Sequence, residues 1–255
     1  MACRRRWTKD FYGPSSGCGP PSGPVQNTAV KPLPQSYSVG KLYDYRFTSE
    51  VRERKNALWK VLCQAFFQKY VSESDVVLDL GAGYCEFINH IRCGRKYAVD
   101  LNEETQRCAA EDVAVLLKPA TDLSPLEDAS VDIVFASNLF EHLPSKEALM
   151  ATLAEIHRVL RPGAKLLVLM PNIHYAYREY WDAFDHYLPL SHLSLSEALQ
   201  LAGFSIQTVR PRFLPYTFKS RLPQSGFLLR LYLRLPPLHL IFGRQMFLVA
   251  AKLGS

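Results

Sequence analysis

Val76-Val77-Leu78-Asp79-Leu80-Gly81-Ala82-Gly83 runs from four apolar residues around one acid into a turn with two glycines. The residues beyond it predict a helix over about 84–92. Strand, glycine turn and helix in that order form a ligand-binding corner. Glycine lets the backbone turn sharply and come close to a ligand, and a helix start offers free N–H groups. Further apolar runs follow at Lys96–Asp100, Val113–Leu117, Val131–Ala136 and Lys165–Met170, with helices predicted over about 103–111 and 145–160. The second of these helices stops at Arg161-Pro162-Gly163. Near-continuous apolar strands alternating with helices predict an α/β fold, a mostly parallel sheet covered on both faces. Ahead of it, Ala57, Leu58, Val61, Leu62, Ala65, Phe66 and Tyr70 predict a helix over about 50–70. A helix over about 194–202, capped at Ser194 and ended by Gly203, comes after. Strands at Phe204–Val209 and Gln245–Ala251 complete the domain, with enough chain between them to pair antiparallel.

The chain has 255 residues, 48% of them hydrophobic, which suits one large domain with a sizeable core. No stretch approaches the roughly 20 unbroken apolar residues of a membrane span. Met1–Asp10 holds three arginines and no apolar core, so it does not read as a secretory signal. The six cysteines have no C-x-x-C pair, which argues against a disulfide framework or structural zinc and fits a reducing cytoplasm. Residues 1–40 are basic and rich in Gly, Pro and Ser, so they read as a disordered extension, with 41–255 as a single domain. Residues 198–255 carry eight basic side chains and no acidic one. A basic end on an acidic body suggests an anionic partner, against the plainer reading of ordinary surface charge.

Acids stand at the ends of successive strands. Asp100 closes the second strand, where a carboxylate can accept both hydroxyls of a ribose. Asp122-Leu123 follows the third strand, where the carboxylate could accept from an adenine amine, and Glu141-His142-Leu143 follows the fourth. A dinucleotide fingerprint wants a third glycine where this chain has Glu86, which disfavours a nicotinamide cofactor and an oxidoreductase.

Taken together, Val77–Gly83, Val99-Asp100, Ala120–Leu123, Asp132–Phe135, Phe140–Leu143 and Leu160–Ala164 resemble the successive motifs of class I S-adenosylmethionine-dependent methyltransferases. They are most similar to the bacterial small-molecule branch that includes quinone-biosynthesis enzymes. The resemblance spans about 70–250. It implies a Rossmann-like, doubly wound seven-stranded sheet of order 3-2-1-4-5-7-6 with the last strand antiparallel. It implies S-adenosyl-L-methionine as cofactor, with Asp79, Gly81, Ala82 and Gly83 around its methionine part. Asp100 would bind the ribose and Asp122 the adenine amine; Leu101 and Leu123 would pack on the adenine, and Asn138 would lie nearby. Tyr43, Tyr45 and Arg46 are candidates for the cofactor carboxylate. Tyr84 departs from the small or polar residue usual after the second glycine.

The sulfonium methyl is already activated, so the enzyme must hold the acceptor in line and keep water out. A base is needed only where the acceptor must lose a proton. His142, His174, Tyr175 and His186 are the candidates, against a purely structural role for His142. Tyr177, Trp181 and Phe184 lie at helical spacing within 171–193, either as core or as the wall of an acceptor pocket. Asp185, His186 and His192 match no strong metal pattern, so no metal is expected. Residues 211–243 form a basic insertion in which Arg230 and Arg234 share a helical face. It would either pack on the body, meet a membrane surface, or clamp an anionic acceptor through Arg210, Arg212, Lys219 and Arg221. Nucleic acid is disfavoured for want of a recognition motif. The expected activity is methylation, at oxygen, of a small or carrier-linked acceptor; a scaffold that keeps the fold without catalysis is the competing reading.

Overall fold

Seven strands hydrogen-bond side by side in the order β3-β2-β1-β4-β5-β7-β6, as expected. In chain order the elements are α1 (Ser49–Ala65), β1 (Val76–Leu80), β2 (Arg95–Asp100), α2 (Glu104–Cys108), β3 (Val113–Leu117), β4 (Val131–Ser137), α3 (Lys146–Val159) and β5 (Leu160–Pro171). Then come α4 (Ile173–Ala176), α5 (His192–Leu201), β6 (Phe204–Arg210), α6 (Gly226–Arg234), α7 (Pro236–Phe242) and β7 (Gln245–Lys252). The computed structural model describes residues 48–216 and 225–254. The segment 1–40, Tyr43, Tyr45, Arg46, Lys219 and Arg221 lie outside them.

Strands β1 to β5 pair in parallel, and β7 pairs antiparallel with both β5 and β6. The two-residue pleat sorts each central strand onto two cores. Leu78 and Leu80 of β1, Val134 and Ala136 of β4, Leu166 and Val168 of β5 and Leu248 of β7 face one core, with Leu149, Leu153 and Ile156 of α3 and Leu195 and Leu199 of α5. Val77, Ile133, Phe135, Leu167, Leu169 and Phe247 face the other, with Trp59, Leu62 and Cys63 of α1. This two-sided burial explains why the strands read as apolar runs rather than alternating ones.

Four local expectations need correction. Residues 83–90 form consecutive turns and 91–92 are irregular, so the expected helix over 84–92 is absent. Gly83 and Cys85 both sit at positive φ, +51° and +61°, and two left-handed residues so close together block helix initiation. The helix over 50–70 breaks at Phe66, whose φ of −132° leaves the helical region, and continues as a 3-10 turn, Phe67–Tyr70. The helix over 103–111 is only the short α2. Finally, α5 starts two residues early because Ser191, not Ser194, is its N-cap; the two serines form a reciprocal capping box. Gly203 ends α5 at φ +88° as expected.

Candidate functional site

The glycine turn is held open by main-chain geometry. The N–H groups of Gly81 and Ala82 both donate to the Val99 carbonyl, tying the turn to β2. Gly81 has φ +75°, and a Cβ there would come within 2.9 Å of Leu139 Cδ1. Glycine is required on both counts. The Gly83 N–H donates to Asp100 Oδ2 at 2.7 Å, and the Asn102 N–H donates to Oδ1 at 2.8 Å. Two main-chain donors thus fix the Asp100 carboxylate at the end of β2. Burial pushes its proton affinity up, and the N–H donors and nearby His142 pull it back.

Asp79 is buried at the end of β1. Burial raises its pKa well above the carboxylate range and the neighbouring Glu86 charge adds to this, while the Ile88 N–H opposes it. Glu86, also buried, pairs with Lys55 of α1 at 2.9 Å. No sequence signal connected Lys55 or Glu86 with Asp79. Asp122 is fastened by Lys118 Nζ at 2.7 Å and by the Ser124 N–H, and the Lys118 bond draws its pKa down to about 2. Leu101 is exposed, whereas Leu123 is fully buried in the core beneath α3. Asn138 follows β4 at φ +50°, its N–H on the Leu169 carbonyl and its Oδ1 accepting from Gln245 Nε2.

A second group gathers where β4 ends. Glu141 and His142 lie on a 3-10 turn, Phe140–His142. The Glu141 carbonyl accepts from the N–H groups of Tyr187 and Leu188, strapping the chain after β5 across the end of β4. Tyr180 is fully buried under the strap, its hydroxyl donating to the Leu188 carbonyl at 2.6 Å. The strap brings His186 to His142, with ring centroids 4.9 Å apart. His142 Nδ1 lies 2.9 Å from the Asp185 carbonyl oxygen and 3.2 Å from its carboxylate. Burial lowers the pKa of His142, but the Asp185 and Glu141 carboxylates outweigh it and the net shift is upward. Glu141 is fully buried, and both its carboxylate oxygens lack a hydrogen-bond partner among the described residues. Burial pushes its pKa up to about 7.

Tyr177, Trp181 and Phe184 do not share a helical face, because α4 stops at Ala176 and a separate 3-10 turn covers Tyr180–Asp182. All three are exposed, so they are not core. His174 and Tyr175 both pack against His192, and Arg212 lies over the Tyr175 ring.

Residues 78–168 match the family described as "Methyltransferase domain". The matched stretch runs from β1 into β5, about a third of the chain, and the sheet has the strand order of the methyltransferase Rossmann-like fold. A curated relative, described as "Probable methyltransferase ltbC" of Aspergillus luteorubrus, is 24% identical over 148 residues. That match covers 51% of this chain and 52% of the relative, so the chain spans about half the length of the curated relative it matches. Among solved structures, a methyltransferase from Archaeoglobus fulgidus described as S-adenosylmethionine-dependent superposes with a TM-score of 0.60 at 20% identity. It covers 84% of this chain and all of that one. A complex of a methyltransferase with the Haloferax volcanii Trm112 activator gives 0.63 at 19% identity, covering 86% of this chain and 100% of the matched one. The [4+2]-cyclase SpnF shares the fold at 0.54 and 18% identity, covering 78% and 81%.

The matched stretch, 78–168, contains Asp79, the glycine turn, Asp100, Asp122, Asn138 and His142, but not His174, Tyr175 or His186. Those three belong to the chain after β5. Glu141, more deeply buried than His142, was visible in the sequence only as one more acid after a strand. What singles it out is burial without a hydrogen-bond partner for its carboxylate among the described residues, under the strap of residues 185–188.

Proposed function

We propose that this chain is an S-adenosylmethionine-dependent methyltransferase, with 41–255 as one domain, acting on a small or carrier-linked acceptor at oxygen. The observation that carries the reading is the Asp100 carboxylate, fixed by two main-chain N–H groups beside the glycine turn. A prepositioned carboxylate at the end of β2 suits a ribose diol. Asp79, Gly81, Ala82 and Gly83 would surround the methionine part, with Asp122, Leu101 and Leu123 at the adenine and Asn138 nearby. His142 and His186 are the favoured groups for handling an acceptor proton, since they lie beyond the ribose carboxylate at the end of β4. His174 and Tyr175 would act at most on the acceptor's far end. Because a cyclase shares the fold, fold alone does not specify methyl transfer. Calorimetric titration of the full chain is the first test. Micromolar binding of S-adenosylmethionine with none of NAD is expected, followed by release of S-adenosylhomocysteine with a hydroxylated acceptor. Tight binding without turnover across an acceptor panel would favour the scaffold reading instead, and no binding would remove the methyltransferase reading and leave the scaffold.

The carrier-linked form of the acceptor draws support from α6 and α7. Phe227, Leu231, Leu240 and Ile241 are exposed on them. Arg230 and Arg234 lie on α6, in a stretch of sequence without a single acid. Apolar side chains beside arginines suit an anionic lipid surface. Co-sedimentation with vesicles containing phosphatidylglycerol is expected, weakened by Phe227→Ser with Leu231→Ser; equal recovery with and without vesicles would remove the membrane contact. Among the described residues, no helix is long and apolar enough to cross a membrane.

A further inference from the structure

Glu141, His142 and His186 each offer a ligand atom, and these atoms all lie within 4.8 Å of one another. They come from two places in the chain, the turn after β4 and the strap after β5, and meet only because the strap is hydrogen-bonded to the Glu141 carbonyl. A fully buried carboxylate with neither oxygen hydrogen-bonded among the described residues is costly to keep, and a cation removes the cost. The two histidines supply the nitrogen donors that first-row transition ions favour over magnesium or calcium.

We propose that Glu141, His142 and His186 form a binding site for a divalent first-row transition ion of the zinc class. The bonds of such an ion are about 2.0–2.2 Å, so side-chain rotation must draw the three groups slightly closer. Asp185 completes the arrangement from behind. Its carbonyl and carboxylate both engage His142 Nδ1, which leaves Nε2 as the coordinating nitrogen. A carboxylate behind a histidine is the usual way in which a metal-ligating ring is oriented and made more basic. The proposed set departs from the sequence reading: it pairs His186 with Glu141 and His142 rather than with Asp185 and His192.

Three protein ligands leave at least one position open, as at catalytic rather than structural ions. An acceptor hydroxyl bound there would lose its proton more readily, because the ion stabilises the oxyanion; with the ion bound, His142 and His186 serve as its ligands and not as bases. This last step rests on the methyltransferase reading; the metal site does not.

The test uses the full chain, stripped with chelator and titrated with Co²⁺ alone, without S-adenosylmethionine. One equivalent of Co²⁺ should bind, with visible d–d absorption showing mixed nitrogen and oxygen ligation, and Zn²⁺ should displace it. Glu141→Gln preserves shape, and His186→Ala removes a nitrogen; each should weaken binding about tenfold to a thousandfold, while His174→Ala leaves it unchanged. Thermal unfolding of each variant separates lost ligation from lost fold. Failure of the wild-type chain to take up Co²⁺ or Zn²⁺ overturns the proposal, whatever the variants do. So does binding by a folded Glu141→Gln chain with unchanged affinity and spectrum. Cofactor titration is independent of these readouts, so failure of the metal site and failure of the methyltransferase reading are distinguishable.

Discussion

Asp100→Ala is expected to weaken S-adenosylmethionine binding by roughly two to three orders of magnitude, about 3–4 kcal/mol. A ribose diol would give this carboxylate two hydrogen bonds to a charged acceptor, and such bonds are the stronger kind. The carboxylate is already oriented, since the Gly83 and Asn102 N–H groups hold one oxygen each. Little ordering remains to be done on binding, so nearly all of the interaction should appear in the affinity. Alanine also deprives the Gly83 N–H of its acceptor and loosens the glycine turn. Asp100→Asn separates the two effects. Its side-chain carbonyl can still accept the Gly83 N–H, but its NH2 faces the Asn102 N–H and cannot accept a ribose hydroxyl, so the unfolding temperature should fall less than in the alanine variant while affinity is still lost. Calorimetry beside thermal unfolding reads both. An alanine variant that binds within threefold of the wild type would remove Asp100 from the cofactor site.

A sheet covered on both faces was legible because it depends on a property each strand carries alone, whereas the strand order came only through the family resemblance. Val77 and Leu78 are both buried, on opposite faces of the sheet, and only a strand covered on both sides needs both to be apolar. The glycine turn was legible for a related reason: positive φ at Gly81 and Gly83 is a local demand that sequence reports directly. The turns at 83–90 were not, because Cys85 takes positive φ too, and nothing in a cysteine announces that. Cys85, Phe87 and Ile88 are all buried in the core beneath, a tertiary setting that local sequence does not report. The candidate site divides in the same way. Asp100 and Asp122 end strands and could be named from position. Glu141 and His186 are 45 residues apart in sequence. Their meeting depends on two hydrogen bonds from the 187–188 backbone, which no local pattern encodes.

Phe135→Ala should cost about 3–5 kcal/mol of stability, the range for removing a large aromatic ring from a packed core. At this chain length that lowers the unfolding temperature by roughly 6–20 °C. Phe135 is fully buried near the middle of β4, and its ring stacks on Phe87 with centroids 3.9 Å apart. It also meets Phe67 at 5.0 Å and Trp59 at 5.9 Å, both edge-on. These partners belong to different parts of the chain. Trp59 is on α1, Phe67 is on the 3-10 turn after it, and Phe87 lies in the turns that follow Gly83. One ring therefore couples the central sheet to the N-terminal helix and to the floor of the glycine turn. Rings from three separate segments cannot all close on the space left by alanine without moving their backbones, which places the cost toward the upper end of the range. Phe135→Leu keeps most of the volume and should lose about 1–2 kcal/mol. Denaturant unfolding of the three proteins measures the series. An alanine variant within about 1 kcal/mol of the wild type would mean that α1 and the 83–90 turns repack freely, and that the aromatic cluster does not hold the glycine turn against the sheet.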